Sequence, residues 1–179
     1  MIYVFLADGF EEIEALATVD VLRRADLPVC TVGIGKMDII GAHNITVKAD
    51  IIDTALSLTD TTAIVLPGGM PGTQNLEASS TVQSAIEYAL SHELPIAAIC
   101  AAPSILGHAQ LLHGVCATCF PGFEDDLHGA TVSRSAVVTD GLFTTAKGAG
   151  VAIDFALALV SRLSGQDAAT QIREAMQCQ

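Results

Sequence analysis

Tryptophan is absent from this 179-residue sequence, and aromatic residues make up only 4% of it. A core built without large rings has to be filled by aliphatic side chains and alanine, which suits close layers of helix on sheet. Positive charge is scarce as well: eight Lys and Arg stand against twenty Asp and Glu, for a net charge of −12. Such a surface repels phosphate backbones and acidic membranes, so direct binding to duplex nucleic acid is not expected. No apolar run is long enough to span a bilayer, since the longest, over 94–107, is interrupted by Pro95 and Pro103. The opening Met1-Ile2-Tyr3-Val4-Phe5-Leu6 lacks a basic flank and is too short for a secretion signal, which predicts a cytoplasmic chain.

What is present is largely aliphatic, with 51% hydrophobic and 16% charged residues. At this length a single domain over 1–179 buries well over half of the surface its unfolded form exposes. Five cysteines (Cys30, Cys100, Cys116, Cys119 and Cys178) without a signal peptide point to free thiols rather than a disulfide framework.

Short apolar runs over 2–7, 63–66 and 95–99 read as buried strands, the first of them buried on both faces, and 28–34 reads as a further strand. The first is followed by a helix with Glu11, Glu12 and Glu14 in its first turn, Ile13, Leu16, Ala17, Val21 and Leu22 at helical spacing, and Arg23-Arg24 at its end. Residues 36–60 suggest an edge hairpin, with β-like pieces at 45–47 and 51–52. A helix is expected over 81–92 and another directly after Cys100, with 104–109 as its body. Beyond it, 115–120 reads as a strand, 136–139 and 142–145 as a hairpin turning at Asp140-Gly141, and 150–163 and 167–176 as closing helices. Strands alternating with helices in this way predict a mainly parallel sheet covered on both faces, a three-layer α/β sandwich.

Ala98-Ile99-Cys100-Ala101-Ala102 takes a buried strand straight into a helix, with a nucleophile-type residue at the corner. In strained strand–nucleophile–helix turns the positions two before and two after the nucleophile must be small, and Ala98 and Ala102 meet that need. A thiol there would face a helix amino terminus, whose partial positive charge lowers a cysteine pKa. The segment alone also fits a cysteine serving as a small buried hydrophobe.

Pro67-Gly68-Gly69 ends a neighbouring strand, where backbone N–H groups could hold a developing oxyanion in the crevice outside the carboxyl ends of the strands. Two glycines also make an ordinary tight turn. Of the three acids after Gly9, two read as surface groups that stabilise a helix start, while Glu14 is bracketed by Ile13, Leu16 and Ala17 and is expected to point inward. A carboxyl beside the thiol would share a proton with it, and the two would titrate together. Cys116-Ala117-Thr118-Cys119 matches C-x-x-C, but on a strand residues three apart face opposite sides, and no second cysteine pair or spaced histidines complete a zinc site. No metal is expected.

Taken together, Asp8-Gly9-Phe10-Glu11-Glu12-Ile13-Glu14, Val65-Leu66-Pro67-Gly68-Gly69, Ala97-Ala98-Ile99-Cys100-Ala101-Ala102-Pro103 and Lys147-Gly148-Ala149-Gly150 resemble the signature blocks of the DJ-1/ThiJ/PfpI family, in order and almost end to end. The resemblance implies a flavodoxin-like homodimer with a reactive, readily oxidised Cys100 and no cofactor. It implies that Glu14 hydrogen-bonds the sulfur and that the N–H groups of Gly69 and Ala101 form the oxyanion site, with Gly68, Phe120 and Pro121 lining it. Activities associated with the family include glyoxalase and deglycase chemistry on 2-oxoaldehydes or early glycation adducts, stress sensing through a cysteine sulfinate, and chaperoning. Some members are proteases, and a thiamine-biosynthesis label is common.

One departure stands out. DJ-1 members of the family carry a His-Pro pair near the cysteine, and here the pair is Phe120-Pro121. Phenylalanine cannot shuttle a proton to a leaving amine, so peptidase activity is not expected. Any chemistry must rest on Cys100 and Glu14, acting on a small aldehyde or glycated substrate, with a non-catalytic peroxide sensor as the alternative.

Overall fold

A computed structural model of the chain describes residues 1–178. In chain order it forms β1 (Ile2–Leu6), α1 (Glu12–Arg24), β2 (Val29–Gly33), the pair β3 (Asp38–Ile40) and β4 (Thr46–Lys48), then β5 (Ile51–Ile52) and β6 (Ala63–Leu66). Next come α2 (Gly72–Glu77), α3 (Ser80–Ser91), β7 (Ile96–Ile99), α4 (Pro103–His108), β8 (Cys116–Ala117) and β9 (Thr131–Val132). The hairpin β10 (Val137–Asp140) and β11 (Phe143–Ala146) leads into α5 (Ala152–Ser164) and α6 (Gln166–Ala175).

Seven strands make one sheet in the order β10-β11-β7-β6-β1-β2-β5, parallel throughout except for the β10–β11 hairpin. Strands β1, β6 and β7 are buried at every residue, which is why they read as unbroken apolar runs. One face is covered by α1, α5 and α6, through Val21, Leu22, Phe155, Leu159 and Ile172. The other is covered by α2, α3 and α4, through Leu76, Val82, Ile86, Ile105 and Leu106. The alanines of β7 (Ala97, Ala98) let helices approach closely, as an aromatic-poor core requires.

The chain leaves β1 for β2 and β5 on one side, then crosses to β6, β7 and β11 on the other. That reversal opens a crevice at the carboxyl ends of the strands, where α/β sheets bind ligands. Glu14 follows β1, Gly68 and Gly69 follow β6, Cys100 follows β7 and Gly148 follows β11. Four distant sequence blocks therefore meet on one rim.

The structure corrects several expectations. The stretch 115–120 holds only the two-residue strand β8, which pairs with β9 outside the main sheet. The β3–β4 hairpin is also separate, and the main sheet's edge beyond β2 is β5. Helix α2 has no counterpart in the sequence pattern, and α4 begins at Pro103 rather than directly after Cys100. On α1, Ile13 and Leu16 are 57% and 39% exposed, so the buried face is Glu14, Ala15, Thr18, Val21 and Leu22.

Candidate active site

The chain enters Cys100 from β7 and turns there with φ +65°, a left-handed conformation uncommon for a residue with a side chain. Its N–H donates to the Ala146 carbonyl at 2.9 Å, and its own carbonyl accepts from the Phe120 N–H at 2.8 Å. Clamped on both sides, the peptide holds the strained turn. Ala98 and Ala102 are fully buried, in keeping with the crowding of such a corner. Cys100 itself is half-buried.

Glu14 projects from the inward face of α1 and is 1% exposed. Its Oε2 accepts the Gly68 N–H at 2.8 Å, while Oε1 is buried with no close hydrogen-bond partner. Burial pushes this carboxyl up to about 7, against the Gly68 amide and the Cys100 thiol, which pull it down, and the nearby Glu11 charge adds to the rise. A carboxyl poised there can both take and return a proton at neutral pH.

The sulfur departs from expectation. Burial first and the Glu14 charge second push the Cys100 thiol up to about 12, although the backbone N–H groups of Ala101 and Gly69 reach the sulfur and favour its ionised form. Helix α4 is only six residues long and starts three positions later, so its dipole does not offset burial. The resting sulfur is thus a thiol at neutral pH, beside a carboxyl that burial holds close to half-ionised.

Glycine is required where these loops touch. A Cβ on Gly68 would lie 2.6 Å from the Cys100 Cβ and 2.9 Å from Glu14 Oε2. Gly69 has φ +89°, and a Cβ there would meet the Glu11 nitrogen at 2.4 Å. The Glu11 N–H donates to the Gly68 carbonyl at 2.9 Å, tying the start of α1 to the glycine loop. Phe120 is 47% exposed, and its ring lies beside Gly148. The open face of that glycine also looks towards Sγ of Cys100: a Cβ built there would be 3.2 Å from the ring and 3.8 Å from the sulfur. Phe120, Pro121, Lys147 and Gly148 line a cleft of about 300 Å³, whose link to the sulfur runs through Gly148. The structure therefore brings Cys100, Glu14, Gly68, Gly69, Ala101, Phe120 and Pro121 together.

Other residues stay apart. Cys116 and Cys119 join no converging donor set among the described residues, and burial pushes the Cys119 thiol up to about 11, helped by Glu124 and Asp126. Glu12, expected on the surface, is buried and accepts the His43 N–H at 2.8 Å, its Oε2 meeting the His43 ring at 2.8 Å. Despite the opposing effect of burial, hydrogen bonds centred on His43 hold this carboxyl below its ordinary value. Among the described residues, Glu11, Glu12 and His43 are the group whose donor atoms, within 4.8 Å of one another, could hold a metal ion. Thirty-one residues separate Glu12 from His43, so no local spacing signals their meeting. A larger groove of about 450 Å³ between α5 and α6 shares no residue with the cysteine site.

A parallel sheet whose inner strand ends in a left-handed cysteine, faced by a buried carboxyl and by the N–H groups of Gly69 and Ala101, defines an α/β protein of the flavodoxin-like class. Residues 1–162 match the DJ-1/PfpI family, and the chain belongs to it. It is 33% identical over 175 residues to the Parkinson disease protein 7 homolog of Danio rerio, covering 95% of this chain and 93% of that one. It is 31% identical over 176 residues to protein DJ-1 homolog B of Arabidopsis thaliana, where the match takes in 97% of this chain but only 40% of the relative. A deglycase of Pyrococcus abyssi (strain GE5 / Orsay) is 30% identical over 151 residues, 82% of this chain and 89% of that protein. The structure of oxidized Toxoplasma gondii DJ-1 superposes with a TM-score of 0.94 at 30% identity, covering 98% of this chain and 97% of that one.

Proposed function

We propose that this protein is a cofactor-independent, cysteine-dependent enzyme that converts 2-oxoaldehydes, or their early glycation adducts, to 2-hydroxy acids. The observation that carries this reading is the pairing of a half-buried thiol with a carboxyl raised to about 7. The Pyrococcus relative, a deglycase, supports the same chemistry.

An early adduct, a hemiaminal, first releases its amine, which carries off the hydroxyl proton and leaves the free aldehyde; in the proposed reaction the Cys100 sulfur then adds to the aldehyde carbon while Glu14 accepts the thiol proton. The carbonyl oxygen becomes an oxyanion, received by the N–H groups of Gly69 and Ala101 and protonated to give a hemithioacetal. Glu14, again a carboxylate, removes the proton from the former aldehyde carbon and returns it to the adjacent carbon through an enediol. The first carbon is oxidised and the second reduced, so no external redox partner is needed. Water hydrolyses the resulting thioester, releasing the hydroxy acid and the thiol. Proton transfers of this kind contribute typically ~10²–10⁴-fold each. Methylglyoxal should yield lactate without glutathione; a Cys100→Ser variant that keeps the wild-type rate would end the proposal.

A second reading is favoured by one observation, the oxidized form in which the Toxoplasma relative was determined. Cys100 would act as a peroxide sensor, its thiolate consuming two peroxide molecules and releasing two of water to give a sulfinate. Protonated Glu14, whose Oε1 lacks a partner, would then donate to that sulfinate. Two added oxygens on Cys100 after mild peroxide, with no aldehyde turnover, select the sensor. Uniform oxidation of all five cysteines excludes it.

The reading includes a homodimer, supported by the exposed apolar side chains of Ile13 and Leu16 on α1, and sedimentation reading a monomer would remove it. A cytoplasmic setting suits five free thiols. No helix among the described residues is long and apolar enough to cross a membrane.

A further inference from the structure

A pocket of about 290 Å³ opens next to the cysteine cleft and shares Pro121 and Lys147 with it. Thr118, Cys119, Ser133 and Arg134 line it from the segments around β8 and β9, and Glu124 stands among them. Its chemistry is unusual for this chain. Only eight basic residues are present, and half of them make ion pairs: Arg23 with Asp50, Arg24 with Asp20, Lys36 with Asp8, and Arg173 with Asp154. Arg134 and Lys147 form no such pair among the described residues, yet both face this one pocket.

The wall carries a second signal. Thr118 is 1% exposed, and its Oγ1 is buried with no hydrogen-bond partner, although its backbone N–H is satisfied by Thr145 Oγ1 at 2.9 Å. A buried hydroxyl left unpaired has given up its bonds to water for nothing, so a small rotation turning it into the adjoining pocket would be repaid by a ligand oxygen. The Cys119 thiol, held protonated by burial and by the Glu124 and Asp126 charges, is a further weak donor. Two cations and three hydroxyl or thiol groups outweigh the single carboxylate of Glu124, whose Oε2 is engaged by the Gly122 N–H at 2.6 Å.

We propose that this pocket is an oxyanion subsite, taking a carboxylate or phosphate ester carried by the substrate a few bonds from the carbonyl that reacts at Cys100. The proposal rests on the aldehyde-converting function above and narrows its substrate class to anionic 2-oxoaldehydes or glycation adducts. Arg134 offers a planar pair of donors and Lys147 a point charge, a combination suited to oxyanions. Because Lys147 borders both spaces, an extended substrate can lie in the cleft and the pocket at once.

The test is a backbone-amide NMR titration of the whole protein with inorganic phosphate and, separately, with acetate at constant ionic strength. Saturable shifts at the amides of Thr118, Ser133 and Lys147 are expected. Binding should weaken about tenfold in Arg134→Gln and in Lys147→Gln and persist in Lys147→Arg. Tighter phosphate assigns an ester and tighter acetate a carboxylate. Non-saturable shifts, or binding unchanged in the Arg134→Gln/Lys147→Gln double variant, overturn the subsite. Aldehyde turnover is scored apart: a wild-type protein that binds the anion but converts no aldehyde refutes the function and leaves the pocket standing. As the kinetic counterpart, phosphate should raise KM for the methylglyoxal adduct of alanine without changing kcat.

Discussion

The backbone N–H of Phe120 donates to the carbonyl oxygen of Cys100 at 2.8 Å, so Phe120 is anchored to the cysteine's own peptide. Its backbone position is fixed whatever the side chain, and its ring is 47% exposed beside Gly148. An imidazole at this position would add a proton carrier on the same anchored backbone.

Phe120→His should supply that carrier. We expect aldehyde turnover to rise about tenfold, within the range of general acid–base catalysis, and the pH–rate profile to gain a limb near the histidine pKa of about 6.5. Stability should change by no more than about 0.5 kcal/mol, as for other surface substitutions. A profile identical to wild type would show that position 120 does not reach the reacting groups.

Gly68→Ala tests the close approach of the loops. The new Cβ would lie 2.6 Å from the Cys100 Cβ and 2.9 Å from the Ile99 carbonyl oxygen, and neither neighbour is the far end of a flexible chain. Overpacking of this kind costs typically about 1–3 kcal/mol. We expect a lowered urea midpoint and at least a tenfold loss of turnover, because the shift displaces both Cys100 and Glu14. Wild-type kinetics in this variant would contradict the geometry.

Glu14 also links stability to pH. Its folded value is raised from 4.5 to about 7 by burial, so the protonated form favours folding. That contribution is complete below about pH 4.5 and is lost as pH climbs through 7, a difference of roughly 3 kcal/mol. Cys100, pushed up to about 12, stays protonated in this window and adds nothing. Urea unfolding between pH 5 and 8 should therefore show a decline in wild type that is flattened in Glu14→Gln. Parallel declines in both proteins would mean that another group is responsible.

Much of this architecture is legible in the sequence, for reasons that also explain the failures. Strands β1, β6 and β7 are covered on both faces and read as continuous apolar runs. The stretch 115–120 reads alike, yet its backbone bonds go elsewhere: Thr118 N–H turns to a side-chain oxygen of Thr145, and Phe120 N–H to Cys100. The inward position of Glu14 is legible, but Ile13 and Leu16, which suggested it, face outward, and Thr18, Val21 and Leu22 are its true neighbours on the helix face. The elbow at Cys100 is legible from its alanines. The state of the sulfur is not, because a six-residue helix beginning at Pro103 cannot outweigh burial and an adjacent carboxylate. The meeting of Glu12 with His43 depends on the β3–β4 hairpin folding back over α1, which no local pattern encodes.

In the proposed reaction Glu14 draws the proton from Cys100, and the rate of Cys100 alkylation by iodoacetamide as a function of pH reads that event directly. In wild type the rate should rise with a midpoint near 7, where the Glu14 carboxyl becomes able to accept a proton. In Glu14→Gln the neutral-pH rate should fall at least tenfold, and reactivity should return only well above pH 9, as for a buried thiol without a base. Equal or faster alkylation of Glu14→Gln at pH 7 would contradict the account.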